Sequence, residues 1–182
     1  MSSPGTVGGD ERLRLFCALR LPDDVLDRLQ AWQDDQLSGR IVPRENLHAT
    51  LAFLGSRPAT ELPEITGALA EACRDAGEIV FSPRRYRETR SVGMLVFDDQ
   101  TGEGRRVAER LYDGLERLGV YEREKRPWLP HVTVLRFRSP PKLDPVVPDL
   151  GTFGPSDAAV YISRLRRSGA QYEVLESVPL GG

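Results

Sequence analysis

The chain is short of the residues that most often carry chemistry or crosslinks. Its 182 residues include two histidines, two cysteines and, among 25 basic residues, only two lysines, Lys125 and Lys142. Cys17 sits in an apolar strand-like run and Cys73 in a helical one, so they make no framework of paired spacing. Both read as packing residues of a protein in a reducing compartment, the cytoplasm. No apolar run approaches the roughly 18 residues that span a bilayer, so no membrane partner is expected. The opening MSSPGTVGGD has neither the charged start nor the apolar stretch of a secretory signal. Residues 1–11 are expected to be a disordered tail and residues 12–182 one domain. A net charge of -2 argues against a basic face that grips long duplex nucleic acid, and leaves short or terminal phosphate ligands open. The arginine excess suits bidentate phosphate binding, and codon usage in a GC-rich genome produces the same skew.

What is present is patterned for alternating strands and helices. Arg12 to Leu21 alternates into an apolar centre and stops at Pro22, which reads as a buried strand. Pro22, then Asp23 and Asp24, then Val25, Leu26, Leu29 and Trp32 at three- and four-residue spacing predict an amphipathic helix closing near Gly39. Leu47 to Leu54 reads as a strand ended by Gly55, and Pro63 to Ala76 as a helix ended by Gly77. Glu78 to Tyr86 and Val92 to Phe97 are further strands, the first punctuated by Pro83. Gly104 to Leu118 is a helix, and Leu129 to Phe137 a strand. Ser139 to Pro155 is proline-rich and reads as a loop with little regular structure. Ala158 to Leu165 and Tyr172 to Val178 form a hairpin through Ser168-Gly169.

Both histidines open the same phrase: His48-Ala49-Thr50-Leu51 and His131-Val132-Thr133-Val134. With eight threonines in 182 residues, a Thr two places after each histidine is a coincidence of about two in a thousand. Side chains two apart on a strand share a face. His48 therefore points with Thr50, and His131 with Thr133, while the intervening apolar residues face a core. Two such strands in facing lobes would bring two imidazoles and two hydroxyls around one tetrahedral phosphate. With histidine's ordinary pKa near 6.5, one ring can accept a proton while the other donates one. A strained 2′,3′-cyclic phosphate suits such a site and needs no metal or other cofactor. Metal binding is the rival reading, but two histidines with no Cys, Asp or Glu at ligand spacing make a poor zinc site.

Four other features carry two readings each. Arg136, five residues after His131, alternates to the opposite face unless the strand bends; it is a phosphate clamp or a surface cation. Arg84, Arg85, Arg87 and Arg90, with Tyr86 among them, contact nucleotide by charge and stacking or form a solvated arginine-rich loop. Trp128 and Phe53 flank the two phrases, as base-stacking groups or as core.

The runs RLFCALRLP (Arg14 to Pro22), PRENLHATLAFLG (Pro43 to Gly55), WLPHVTVLR (Trp128 to Arg136) and YISRLRRSGAQYEVL (Tyr161 to Leu175) together resemble the RNA 2′,3′-cyclic phosphodiesterases. These belong to the two-histidine phosphoesterase superfamily, formerly called 2′-5′ RNA ligases. The resemblance covers the chain from residue 12 onward. It implies a bilobal α+β fold in which two antiparallel sheets with outer helices surround a central cleft, one His-x-Thr strand per lobe. It implies hydrolysis of an RNA 2′,3′-cyclic phosphate to a 2′-phosphate without metal; a monomer acting on RNA ends or small cyclic nucleotides is expected. His48 is then the proton donor to the leaving 3′ oxygen and His131 the base that activates water. Thr50, Thr133 and Arg136 bind the phosphate. Ala52 stands where many members carry a basic residue, which implies weaker substrate contact from the first strand, and the Ser139 to Pro155 loop would reshape the rim of the cleft. The alternatives are a 2′-5′ phosphodiesterase or weak 2′-5′ ligase, and a catalytically idle module that binds RNA ends or nucleotides.

Overall fold

The computed structural model describes residues 11–181. The expected tail therefore lies outside the described residues, apart from Glu11, whose carbonyl accepts the Ala59 N–H at 2.8 Å.

The first strand, β1 (Arg12–Arg20), buries Leu15, Cys17 and Leu19 on one face and Phe16 and Ala18 on the other, as a central strand does. Helix α1 (Asp23–Gln36) follows, with Pro22 at its N-cap and Asp23 and Asp24 in its first turn. The two-residue strand β2 (Arg40–Ile41) and one turn of 3₁₀ helix at Arg44–Asn46 lead into β3 (Ala49–Pro58). This strand runs past Gly55, the expected terminator, because Gly55 takes φ 69° yet still pairs with Leu15 in the ladder. Then come α2 (Leu62–Cys73), β4 (Phe81–Glu88), β5 (Val92–Asp99), α3 (Glu103–Arg117) and β6 (His131–Arg136). The hairpin of β7 (Asp157–Arg166) and β8 (Gly169–Val178) completes the chain. Pro83 is tolerated inside β4 because β4 is a sheet edge, where a missing N–H costs no ladder bond.

Two four-stranded antiparallel sheets result, ordered β3-β1-β7-β8 and β2-β6-β5-β4. The fold is α+β, with helices outside. The lobes are not the two halves of the chain. The first sheet takes the C-terminal hairpin, and the second takes β2 from the N-terminal half. One core runs through both, formed where α1, α2 and α3 cover the outer sheet faces. A small second cluster of Phe16, Ala18, Ala159 and Tyr161 lies on the other face of the first sheet.

From Arg136 to Asp157 there is neither helix nor strand, only an isolated bridge between Phe81 and Phe153. This segment is pinned beside α1 and β4: the Trp32 indole donates to the Val146 carbonyl at 2.6 Å, and Glu88 accepts from the Lys142 and Leu143 amides. None of its residues is in the wall of the cavity described next.

Candidate active site

The strands β3 and β6 meet between the sheets, and they carry the two phrases. His48 precedes β3 by one residue, held by the 3₁₀ turn, and His131 is the first residue of β6. From each histidine onward the burial sequence is the same over six residues: partly exposed, buried, partly exposed, buried, buried, exposed. The two consecutive buried residues are the signature of a one-residue bulge.

The registers locate it. On β3, Thr50 pairs with Ala18 and Ala52 with Cys17, so Leu51 is the extra residue. On β6, Thr133 pairs with Met94 and Leu135 with Gly93, so Val134 is extra. An inserted residue reverses the alternation beyond it. Phe53 therefore shares the cleft face with His48 and Thr50, and Arg136 shares it with His131 and Thr133. Strict alternation would have turned both away. Ala52 is buried on the core side at 2% exposure; the cleft contact from this strand falls to Phe53, which is 67% exposed. Neither bulge is left with an orphan carbonyl. Tyr112 on α3 donates its hydroxyl to Leu51 O at 2.9 Å. Buried Gln33 on α1 donates to Val134 O at 3.0 Å, and the Val42 amide donates to the same oxygen at 3.1 Å.

The two imidazoles have different surroundings. His48 rests on aromatic rings, with Phe16 at 4.8 Å and Tyr161 and Tyr172 both at 5.4 Å between centroids. Its Nε2 stands 3.0 Å from Thr50 Oγ1, while its Nδ1 is sealed from solvent without a hydrogen-bond partner. Burial lowers its pKa from 6.5 to about 4; the Asn46 backbone opposes that shift, and the nearby charges of His131 and Arg136 add to it. His131 instead donates Nδ1–H to the Leu129 carbonyl at 2.7 Å. That bond selects the tautomer with a lone pair on Nε2.

Arg136 reaches from the second sheet to the first, donating to the Tyr172 hydroxyl at 3.1 Å. Trp128 is partly buried, and its indole donates to Thr50 O at 2.9 Å. It both supports β3 and lines the cleft. The cleft opens into a cavity of about 820 Å³ with Thr50, Phe53, Arg87, Met94, Trp128 and His131 in its wall; His48, Thr133 and Arg136 are not part of that wall. Tyr172 and Asn46 were not singled out by the sequence. Tyr172 touches both His48 and Arg136, and Asn46 donates to Ala170 O at 3.0 Å while its Oδ1 is buried without a partner. Phe53 was singled out by its place beside the first phrase; its equivalence to Arg136 emerges only with the bulges. Among the described residues, no group of three or more His, Cys, Asp or Glu side chains could hold a metal ion.

The sequence profile of the 2′-5′ RNA ligase superfamily matches residues 21–169. The chain belongs to this superfamily. A Thermus thermophilus relative named RNA 2′,3′-cyclic phosphodiesterase is 33% identical over 93% of this chain and 91% of its own. An Escherichia coli protein of the same name is 28% identical over 91% and 96%. Among superfamily structures, E. coli LigT complexed with NADP⁺ superposes with a TM-score of 0.81, at 26% identity over 95% of this chain and 100% of its own. The T. thermophilus protein TT0787 superposes with a TM-score of 0.77, at 30% identity over 92% and 98%.

Proposed function

We propose that the protein hydrolyses the 2′,3′-cyclic phosphate at an RNA 3′ end, or in a small cyclic nucleotide, to a 2′-phosphate, and that it does so as a monomer in the cytoplasm without a metal. Its two cysteines are free and buried, in keeping with a reducing compartment. The observation that supports the reading is the pair of matched bulged strands, each carrying histidine, threonine and a fifth-following residue on one face, with the His131 and Arg136 charges near enough to act on His48.

His131 Nε2, its lone pair set by the Nδ1–H bond to Leu129, takes a proton from water as the water oxygen attacks phosphorus. The P–O3′ bond breaks, and His48 Nε2 gives its proton to O3′. Because burial depresses His48, its proton is taken up with the substrate: the anionic phosphate favours the imidazolium that the free enzyme disfavours. The Thr50 and Thr133 hydroxyls donate to the non-bridging oxygens, and Arg136 neutralises charge developing there. Phe53 offers its exposed ring to the terminal base. Release of ring strain in the five-membered phosphate lets two proton transfers, worth about 10² to 10⁴-fold each, suffice.

The test is incubation with a short RNA ending in a 2′,3′-cyclic phosphate. A 2′-phosphate product is expected. Joined strands with a 2′-5′ linkage would favour the ligase alternative, a 3′-phosphate would reverse the roles of the two ester oxygens, and binding without turnover would leave a nucleotide-binding module.

A further inference from the structure

Four arginines on and just after β4 are treated very differently by the fold. Arg84 is the bulge residue of that strand and pairs with Asp98. Tyr86 turns inward, bonding Glu88 and packing near Trp32. Arg85 and Arg87 lie on the opposite face from Tyr86, which is the face of the histidine. The register is explicit: Arg85 pairs with Val96, which pairs with His131, and Arg87 pairs with Met94, which pairs with Thr133. Arg87 thus stands in the same cross-strand row as a phosphate-binding threonine, two strand spacings or about 10 Å away.

Three observations single out Arg87. It lines the 820 Å³ cleft together with Thr50, Phe53 and His131. It is exposed and makes no ion pair or side-chain hydrogen bond among the described residues, whereas Arg20, Arg57, Arg110 and Arg123 are all tied to carboxylates. Elsewhere the same cleft is lined by Glu122 and Glu124, which repel a phosphodiester, and by Arg126, whose charge faces Glu124 at 4.0 Å. The cleft also lies toward the top of the ~300–1,000 Å³ range that encloses a small-molecule ligand, leaving room beyond one nucleoside.

We propose that Arg87 binds the phosphodiester immediately 5′ of the terminal nucleotide, making this an enzyme for RNA strand ends in preference to free cyclic mononucleotides. The inference rests on the two-histidine reading above. With the cyclic phosphate between the histidines and the last base on Phe53, the strand leaves along the second sheet, away from the acidic part of the wall. A guanidinium on a flexible stem then reaches back to the next phosphate.

The experiment compares kcat/KM for 2′,3′-cyclic AMP with that for the dinucleotide ApA ending in a 2′,3′-cyclic phosphate. The natural chain should prefer the dinucleotide. Arg87→Ala should lower the dinucleotide-to-mononucleotide ratio about tenfold and flatten the log–log salt dependence for the dinucleotide by about 0.7. Arg87→Lys should restore most of the salt slope. Arg84→Ala, which removes a charge of the same strand paired to Asp98, should keep the ratio. An unchanged ratio in Arg87→Ala, or an equal fall on both substrates, overturns the proposal. A natural chain that hydrolyses neither substrate overturns instead the reading on which it rests.

Discussion

Phe53 and Arg136 occupy equivalent positions in two different sheets. Each stands five residues after a histidine, and each shares that histidine's face because one residue, Leu51 or Val134, is inserted between it and the preceding threonine. The carbonyl of each inserted residue is held by a side chain from a distant helix, Tyr112 for Leu51 and Gln33 for Val134. The bulges are therefore anchored from outside the strands, and the same device presents an aromatic ring on one side and a cation on the other.

If the two rings share the chemistry, neither can act alone. His48→Ala and His131→Ala should each lower turnover of a 2′,3′-cyclic phosphate by about 10²-fold or more. The double variant should cost little beyond either single one, while circular dichroism shows an unchanged fold.

Removing the anchors should disturb the site at a distance. Gln33→Leu leaves the Val134 carbonyl with one donor fewer and is expected to cost about 1–3 kcal/mol of stability, measured by urea unfolding. It should also lower kcat/KM through Arg136. Combined with Arg136→Ala, its kinetic effect should largely disappear, and full additivity in that double-mutant cycle would mean that Gln33 does not act through Arg136.

Stability should fall in mild acid for a reason traceable to His48. Its native pKa of about 4 lies below the unfolded value near 6.5, so between those limits the unfolded chain binds the extra proton. The contribution is present above pH 6.5 and is lost as pH falls toward 4, by ~3 kcal/mol in all. His48→Ala should lack this part of the pH slope. Imidazole resonances titrated by NMR should show His48 near 4 in the free protein, moving upward when inorganic phosphate is added.

Activity should be bell-shaped in pH and should survive a metal chelator. In kcat/KM, which reports the free enzyme, one inflection should fall near pH 4, and in kcat it should shift upward as the bound phosphate stabilises the imidazolium. Complete loss of turnover on chelation would point to metal-assisted hydrolysis.

Phe53→Ala should lower kcat/KM about tenfold, the scale of one base–aromatic stack, and Phe53→Trp should retain it. On a cyclic ribose phosphate without a base, natural and variant chains should react alike.

Much of this was legible in the linear chain, because it rests on short-range regularities. The repeated His-x-Thr phrase, the alternation of β1, the three- and four-residue spacing of α1 and the apolar face of α3 all express periods of two or 3.6 residues, which the backbone imposes wherever it is extended or coiled. Element ends were less legible: Gly55 did not end its strand, since pairing with Leu15 outweighed its turn propensity.

Other features depended on partners far away in sequence. A bulge is a mismatch in count between two paired strands, so neither Leu51 nor Val134 is marked as extra until Ala18 and Met94 are set beside their neighbours. The face taken by Arg136 and Phe53, the burial of Ala52, and the separation of Arg87 from Arg84 all follow from register. The depressed pKa of His48 likewise required Phe16, Tyr161 and Tyr172 to close over it from β1, β7 and β8. The chain by itself determined which groups were available for proton transfer, because their chemistry is intrinsic to the residue. Tertiary pairing alone decided which of them share a face and with what proton affinity, because direction and desolvation are properties of neighbours.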